Sequence, residues 1–148
     1  MPKGTETTTK FKVDISDFKK AMQEANRAIR LANSEFKSAS DGTKEWAKST
    51  DGLTAKISQL NKVMDAEQRK LDILENEYNQ VADAQGKDSK EAQELQIKIN
   101  NQTATVKKTQ AQLNSYEQEL KDVKNPLSQF GKKTDENTQK TKKIWYTL

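Results

Sequence analysis

Apolar residues recur in this chain at alternating separations of four and three over two long stretches that flank one short polar break. The first stretch runs Leu53, Ile57, Leu60, Met64, then Glu67, then Leu71, Leu74, Tyr78 and Val81. The second runs Ala92, Leu95, Ile99, Gln102, Val106, Thr109, Leu113, Tyr116, Leu120 and Val123. This spacing is the seam of a coiled coil, so each helix must hide one stripe against another helix. Between them lies VADAQGKDSKEAQEL, in which Gly86 is suited to the left-handed conformation that ends a helix. Asp88 then caps the next helix, with Glu91 three residues on as its capping-box partner. At 1.5 Å per residue the two helices span about 48 Å and about 54 Å, which lets them lie side by side.

A hairpin folded at a fixed corner brings together residues whose numbers keep a constant sum. One such sum matches Leu53 with Leu120, Ile57 with Tyr116, Leu60 with Leu113, Met64 with Thr109, Leu74 with Ile99, Tyr78 with Leu95 and Val81 with Ala92. The polar seam positions also gather in the middle, Glu67 facing Val106 and Gln102 facing Leu71. A slip of one heptad satisfies the period as well, so the register rests on the short turn at residues 85–88 together with the pattern. Asn100, Asn101, Gln102 and Thr103 form a stretch of poor helix formers and mark an expected flexible point.

Upstream, Phe18, Met22, Ala25, Ile29, Ala32, Phe36 and Ala39 repeat the same spacing and predict a first helix over residues 16–40. A hairpin by itself leaves this seam without a partner, so Phe18, Met22, Ile29 and Phe36 form a candidate self-association face. Asp14 or Ser16 is the expected cap, with Val13 and Phe18 as a hydrophobic staple. Residues 1–15 read as a loose Thr-rich lead-in whose alternating FKVDI suits a short strand. Residues 41–52 form an elbow bounded by Gly42 and Gly52, with Trp46 an anchor against a neighbouring helix. The hairpin then occupies residues 53–124, and Pro126 ends it. Residues 125–148 are a polar basic linker closing on IWYTL, which looks cut short. The fold class is all-α: an elongated antiparallel hairpin preceded by a shorter amphipathic helix.

Composition agrees. Hydrophobic residues make up 32% of the 148 and charged residues another 32%, against roughly 45 to 50% apolar in an ordinary globular domain, so the core is thin. No apolar run is long enough to span a membrane, and the start MPKGTETTTK lacks the apolar stretch of a secretory signal. Cysteine and histidine are both absent. That removes disulfides, Cys/His zinc sites and imidazole-based nucleophile systems, so no catalytic, metal or cofactor site is expected. The net charge of +4 is concentrated in residues 125–148, which carry five basic and two acidic groups. Lys132, Lys133, Lys140, Lys142 and Lys143 would give at most weak, salt-sensitive, sequence-blind contact with DNA.

GKD at 86–88 and GKKT at 131–134 lack the earlier glycine and the following Ser or Thr of a phosphate loop. The carboxylate pairs Glu75 with Glu77 and Glu117 with Glu119 stand two apart and diverge on a helix. The NQT sequon at Asn101 falls in mid-helix.

The stretches ANSEFK, W-x-K-S-x-D-G-L at 46–53 and LQIKINNQ at 95–102 resemble the N-terminal region of tail tape measure proteins from long-tailed phages and prophages of Gram-positive bacteria. The resemblance covers about residues 10–140. It implies a structural virion protein, lying in the lumen of the tail tube after assembly in the host cytoplasm, setting tail length, and contacting itself, tail-tube subunits or a tail assembly chaperone. It implies no catalytic residue. Such proteins run much longer, and KKIWYTL departs from their usual continuation, so a truncated prophage remnant or a fragment is the expectation. The competing class is a free-standing host coiled coil of the secreted-hairpin or surface type. Small secreted hairpins of Gram-positive bacteria carry Trp-x-Gly in the turn, whereas this turn is QGKDS.

Overall fold

The computed structural model describes residues 13–40 and 44–125. Helix α1 spans Ser16–Ala39, a short 3₁₀ turn spans Glu45–Lys48, α2 spans Thr50–Gln85 and α3 spans Lys90–Lys124. α2 is the common member, packing against α3 along one side and against α1 along another. Both packings are antiparallel. On α1, Met22 lies against the cluster that contains Leu74, while Asn33 and Glu35 meet Gln59 and Lys62, so numbers rise on one helix as they fall on the other. The class is all-α, and no strand occurs among the described residues.

The hairpin register agrees with the constant-sum match. One cluster at the tip gathers Leu74, Val81, Ala92 and Leu95, with Tyr78 and Ile99 packed on it. A second toward the base gathers Leu60, Met64 and Leu113, with Ile57, Val106 and Tyr116. Leu53 is fully buried and Leu120 half-buried, while Leu71 is half-buried between the two clusters. Glu67, Gln102 and Thr109 are the buried polar side chains of the seam. Gln102 Nε2 donates to the Glu67 carbonyl at 2.9 Å, whereas Glu67 Oε1 is buried with no hydrogen-bond partner among the described residues.

Helix α3 passes unbroken through the NNQT stretch where a flexible point was expected. Thr103 Oγ1 donates to the Ile99 carbonyl and Thr105 Oγ1 to the Asn101 carbonyl, so both hydroxyls are satisfied on the preceding turn without interrupting the helix. The Gln102 bond across the seam adds a tertiary anchor that propensity alone does not register.

Several boundaries differ from expectation for local hydrogen-bonding reasons. α2 starts at Thr50, three residues early, because Ser49 caps it by accepting from the Gly52 amide at 2.9 Å. Gly52 therefore sits in the first turn of a helix and does not close the elbow. α3 is capped by Ser89, which accepts from Ala92 N–H at 3.2 Å, and not by Asp88 with Glu91. Ser89 N–H also closes a turn onto the Gly86 carbonyl at 3.2 Å, and its extended backbone places its hydroxyl over the first turn of α3. At α1 the cap position is Ile15, without a side-chain bond, in place of Asp14 or Ser16. Asp14 nevertheless accepts from Ser16 N–H at 3.0 Å and from its hydroxyl at 2.6 Å, and these bonds hold its carboxyl below the usual range. Val13 packs on the tip cluster, and the described part of FKVDI, residues 13–15, forms no strand. Phe11, Gly42 and Pro126 lie outside the described residues.

The candidate self-association face on α1 is covered within the chain. Ala25 and Ala32 are 1% and 2% exposed, and Phe18, Met22, Ile29 and Phe36 beside them are half-buried. The large apolar side chains left exposed on α1 and α3 are Leu31, Ile97 and Val123; Leu31 and Ile97 stand off the seams, whereas Val123 is the last position of the α3 seam.

Gly86 is the corner of the hairpin, at φ 97° and ψ 151°. That is not the left-handed helical region, which Asn tolerates, but the extended positive-φ region open essentially to glycine alone. Its added Cβ would meet open space, so the penalty is purely conformational. Gly86→Ala and Gly86→Asn are both expected to destabilise the protein by about 1 to 3 kcal/mol in urea unfolding, with Asn giving no rescue. A normal Asn variant would contradict this geometry.

Candidate functional site

Two places on the molecule bring unlike side chains together: the elbow, and a cleft beside the hairpin tip. Both arise from a second stripe on α2 that the hairpin seam does not use. Lys56, Gln59, Val63, Ala66, Lys70, Ile73 and Glu77 follow one another at the same three-four spacing, each buried or half-buried. Val63 and Ala66 are 8% and 0% exposed although neither belongs to the hairpin seam. Opposite this stripe lies the α1 seam. Gln59 Nε2 donates to Asn33 Oδ1 at 2.8 Å, and Lys62 beside it pairs with Glu35 at 3.1 Å. The ion pair is half-exposed, so it contributes little beyond orientation.

At the elbow, Trp46 stands edge-on to Phe36, ring centroids 5.3 Å apart, and to Tyr116 at 5.4 Å. One indole thereby ties α1 to α3 across the start of α2, the anchoring role expected of it. Lys56 Nζ lies 4.7 Å from the Phe36 centroid and 5.4 Å from that of Trp46. Burial lowers the Lys56 pKa, and the ring faces supply the attraction that keeps an ammonium there. The folded pKa lies below the unfolded one, so this group's penalty on folding is present while it is charged and fades as pH rises through the folded value. Gly52 is what lets the 3₁₀ turn lie against the first turn of α2. A Cβ at that position would collide with the Trp46 carbonyl oxygen and Cα.

The second place is a cleft of about 400 Å³ where α1 passes the tip half of the hairpin. Phe18, Met22 and Leu74 supply apolar lining, and Lys19, Lys70, Lys98 and Glu77 the charged lining. Burial pushes the Glu77 carboxyl up, while Lys98 and Lys19 pull it back.

Among the candidates named from sequence, most hairpin seam residues come together as two clusters, with Leu53, Leu71 and Leu120 outside them; of the α1 residues, Met22 packs on the tip cluster and Phe36 meets Lys56 of the second stripe. The carboxylates at 75, 77, 117 and 119 do not converge, since Glu77 is half-buried beside the cleft and the other three are exposed. Lys87 of the GKD stretch is exposed in the turn, and Asn101 is exposed in mid-α3. GKKT and the five tail lysines lie outside the described residues. Among the described residues, no helix is long and apolar enough to cross a membrane, and no group of three or more Asp or Glu could hold a metal ion. The second stripe escaped the sequence reading because four of its seven positions are polar. Its only sign was the regular spacing of Val63, Ala66 and Ile73. No family model, curated protein or solved structure matches this chain.

Two outcomes are expected. Gly52→Ala should cost about 1 to 3 kcal/mol, because the clash is with backbone that cannot rotate away. The loss should appear as a lower urea midpoint together with altered Trp46 fluorescence; an unchanged midpoint would contradict the close approach. For Glu77, the raised folded pKa means that stability falls as pH climbs from the unfolded to the folded value. Glu77→Gln removes that loss. Its melting temperature should exceed that of the parent at about pH 7 and match it at about pH 3, where both forms are neutral.

Proposed function

We propose that this chain is a structural module of a phage tail, the N-terminal part of a tail tape measure protein, acting in tail assembly and length determination. One observation carries the reading: each of the three stretches on which the resemblance rests contributes residues that join the helices. In ANSEFK, Ala32 is buried on the second stripe, Asn33 and Glu35 bond α2, and Phe36 meets Trp46. In W-x-K-S-x-D-G-L, Trp46 is the anchor, Ser49 the cap, Gly52 the close approach, and Leu53 fully buried. In LQIKINNQ, Leu95 and Ile99 pack the tip, and Gln102 crosses the seam. Motifs that each supply helix-junction residues suit a protein whose product is shape.

The protein would act as a helical scaffold, assembled in the host cytoplasm and held in the tail lumen, with itself, tail-tube subunits or an assembly chaperone as partners. The hairpin would be the free form. The middle layers at Glu67 and Gln102 are where it would be drawn open within a tail, since breaking them exposes fewer apolar groups than breaking either cluster. One observation favours the second reading, a free-standing helical interaction protein of the host: α1 packs along its own hairpin, with Ala25 and Ala32 buried there, so its seam already has a partner within the chain.

An in-frame deletion of residues 53–124 from the tape measure gene of the source phage, followed by electron microscopy of tails, tests the proposal. As one straight helix this segment spans about 110 Å. Tails shorter by up to that length, or failed tail assembly, are expected. Tails of unaltered length and number would overturn the tail reading in favour of the host protein.

A further inference from the structure

We propose that the cleft between α1 and the tip half of the hairpin docks a short acidic amphipathic helix of a partner protein. The proposal stands on the cleft itself and does not depend on the tail reading.

α1 and α3 both pack on α2, and the space between them at the tip remains an open cleft of about 400 Å³. Its apolar lining is contributed by Phe18, Met22 and Leu74, a surface that a hydrated ion has no use for and an apolar helix stripe does. Lys19, Lys70 and Lys98 line it from α1, α2 and α3 in turn. None of them is ion-paired among the described residues. Glu77 is the single carboxylate of the lining, so three ammonium groups against one carboxylate leave an excess of positive charge along the groove. Asn101 and Thr105 add polar groups on the α3 wall.

The lining residues extend from Ile15 to Asn26 on α1 and from Lys98 to Thr105 on α3. At 1.5 Å per residue these walls are about 10 to 16 Å long, two to three helical turns. The occupant is therefore a segment of roughly eight to eleven residues, with an apolar stripe and flanking carboxylates. The chain's own outlying segments have the wrong sign. Residues 1–12 carry Lys3, Lys10 and Lys12 against Glu6, and residues 126–148 carry five lysines against Asp135 and Glu136. The field that draws an acidic helix into the cleft repels both.

The probe is a fluorescein-labelled, end-capped peptide of about eleven residues of Leu, Ala and Glu, its leucines at helical three-four spacing. It is titrated against the full chain by fluorescence anisotropy and by methyl NMR of ¹³C-labelled methionine. Saturable binding should weaken at least tenfold in Lys19→Gln/Lys70→Gln/Lys98→Gln, and should weaken with added salt. The Met22 methyl signal should move while that of Met64, buried in the base cluster, stays in place. Lys107→Gln/Lys108→Gln/Lys121→Gln, on exposed α3 positions, should bind as the parent does.

If the triple cleft variant loses helical circular dichroism, Lys98→Gln alone with the Met22 shift decides. A Met22 signal unmoved at about 1 mM peptide, or equal weakening in the control variant, overturns the proposal. So does a self-association of the chain, seen by sedimentation and abolished by the cleft substitutions, since a second copy would then be the occupant.

Discussion

Helix α2 must hide two stripes at once. The first, from Leu53 to Val81, meets α3. The second, offset around the helix by roughly a third of a turn and including Val63 and Ala66, meets α1. A single long helix in water could satisfy neither, and a two-helix hairpin only the first. The elbow exists to bring α1 back over the second stripe, and its parts follow from that need. Ser49 starts α2 early enough, Gly52 lets the 3₁₀ turn lie on the first helical turn, and Trp46 fills the corner between Phe36 and Tyr116.

The two stripes differ in chemistry, and the difference accounts for the unusual groups on the molecule. The hairpin stripe is apolar except for the layer around Glu67 and Gln102, which lies between a tip cluster and a base cluster. The second stripe is polar at four of its seven positions. The ionisable groups displaced by burial, Lys56 and Glu77, stand at its two ends. Lys56 is held under aromatic rings at the elbow, and Glu77 opens onto a cleft where lysines from all three helices gather. Lys70 and Glu77, polar members of this stripe, line the cleft together with Phe18 and Met22 of α1.

Much of the fold was legible from spacing alone. The period of the seam and the length of the QGKDS turn together set the register, because an antiparallel match at a fixed corner admits one pairing once slips of a heptad are excluded by the short loop. α1 was legible for the same reason, and its boundaries agree within a residue. Its destination was not. A seam of Phe18, Met22, Ile29 and Phe36 with no visible complement looks like a face for a second copy, whereas the complement is a half-polar stripe that no hydrophobic pattern reveals. The caps at Ser49 and Ser89 were missed by one to three residues, since several neighbouring residues can cap and the choice falls to the one whose backbone is extended where the preceding turn delivers the chain.

The sequence by itself determined that this chain is helical, that it folds back at Gly86, and which apolar residues face each other across the hairpin. Those are local and periodic properties, carried by three-four spacing and by a glycine. Only the tertiary structure decided that α1 returns to its own hairpin, that Gly52 lies against the Trp46 backbone, and that Lys19, Lys70 and Lys98 share one cleft. These depend on a close approach between elements far apart in the chain, where the energy comes from shape and desolvation and leaves no period to read.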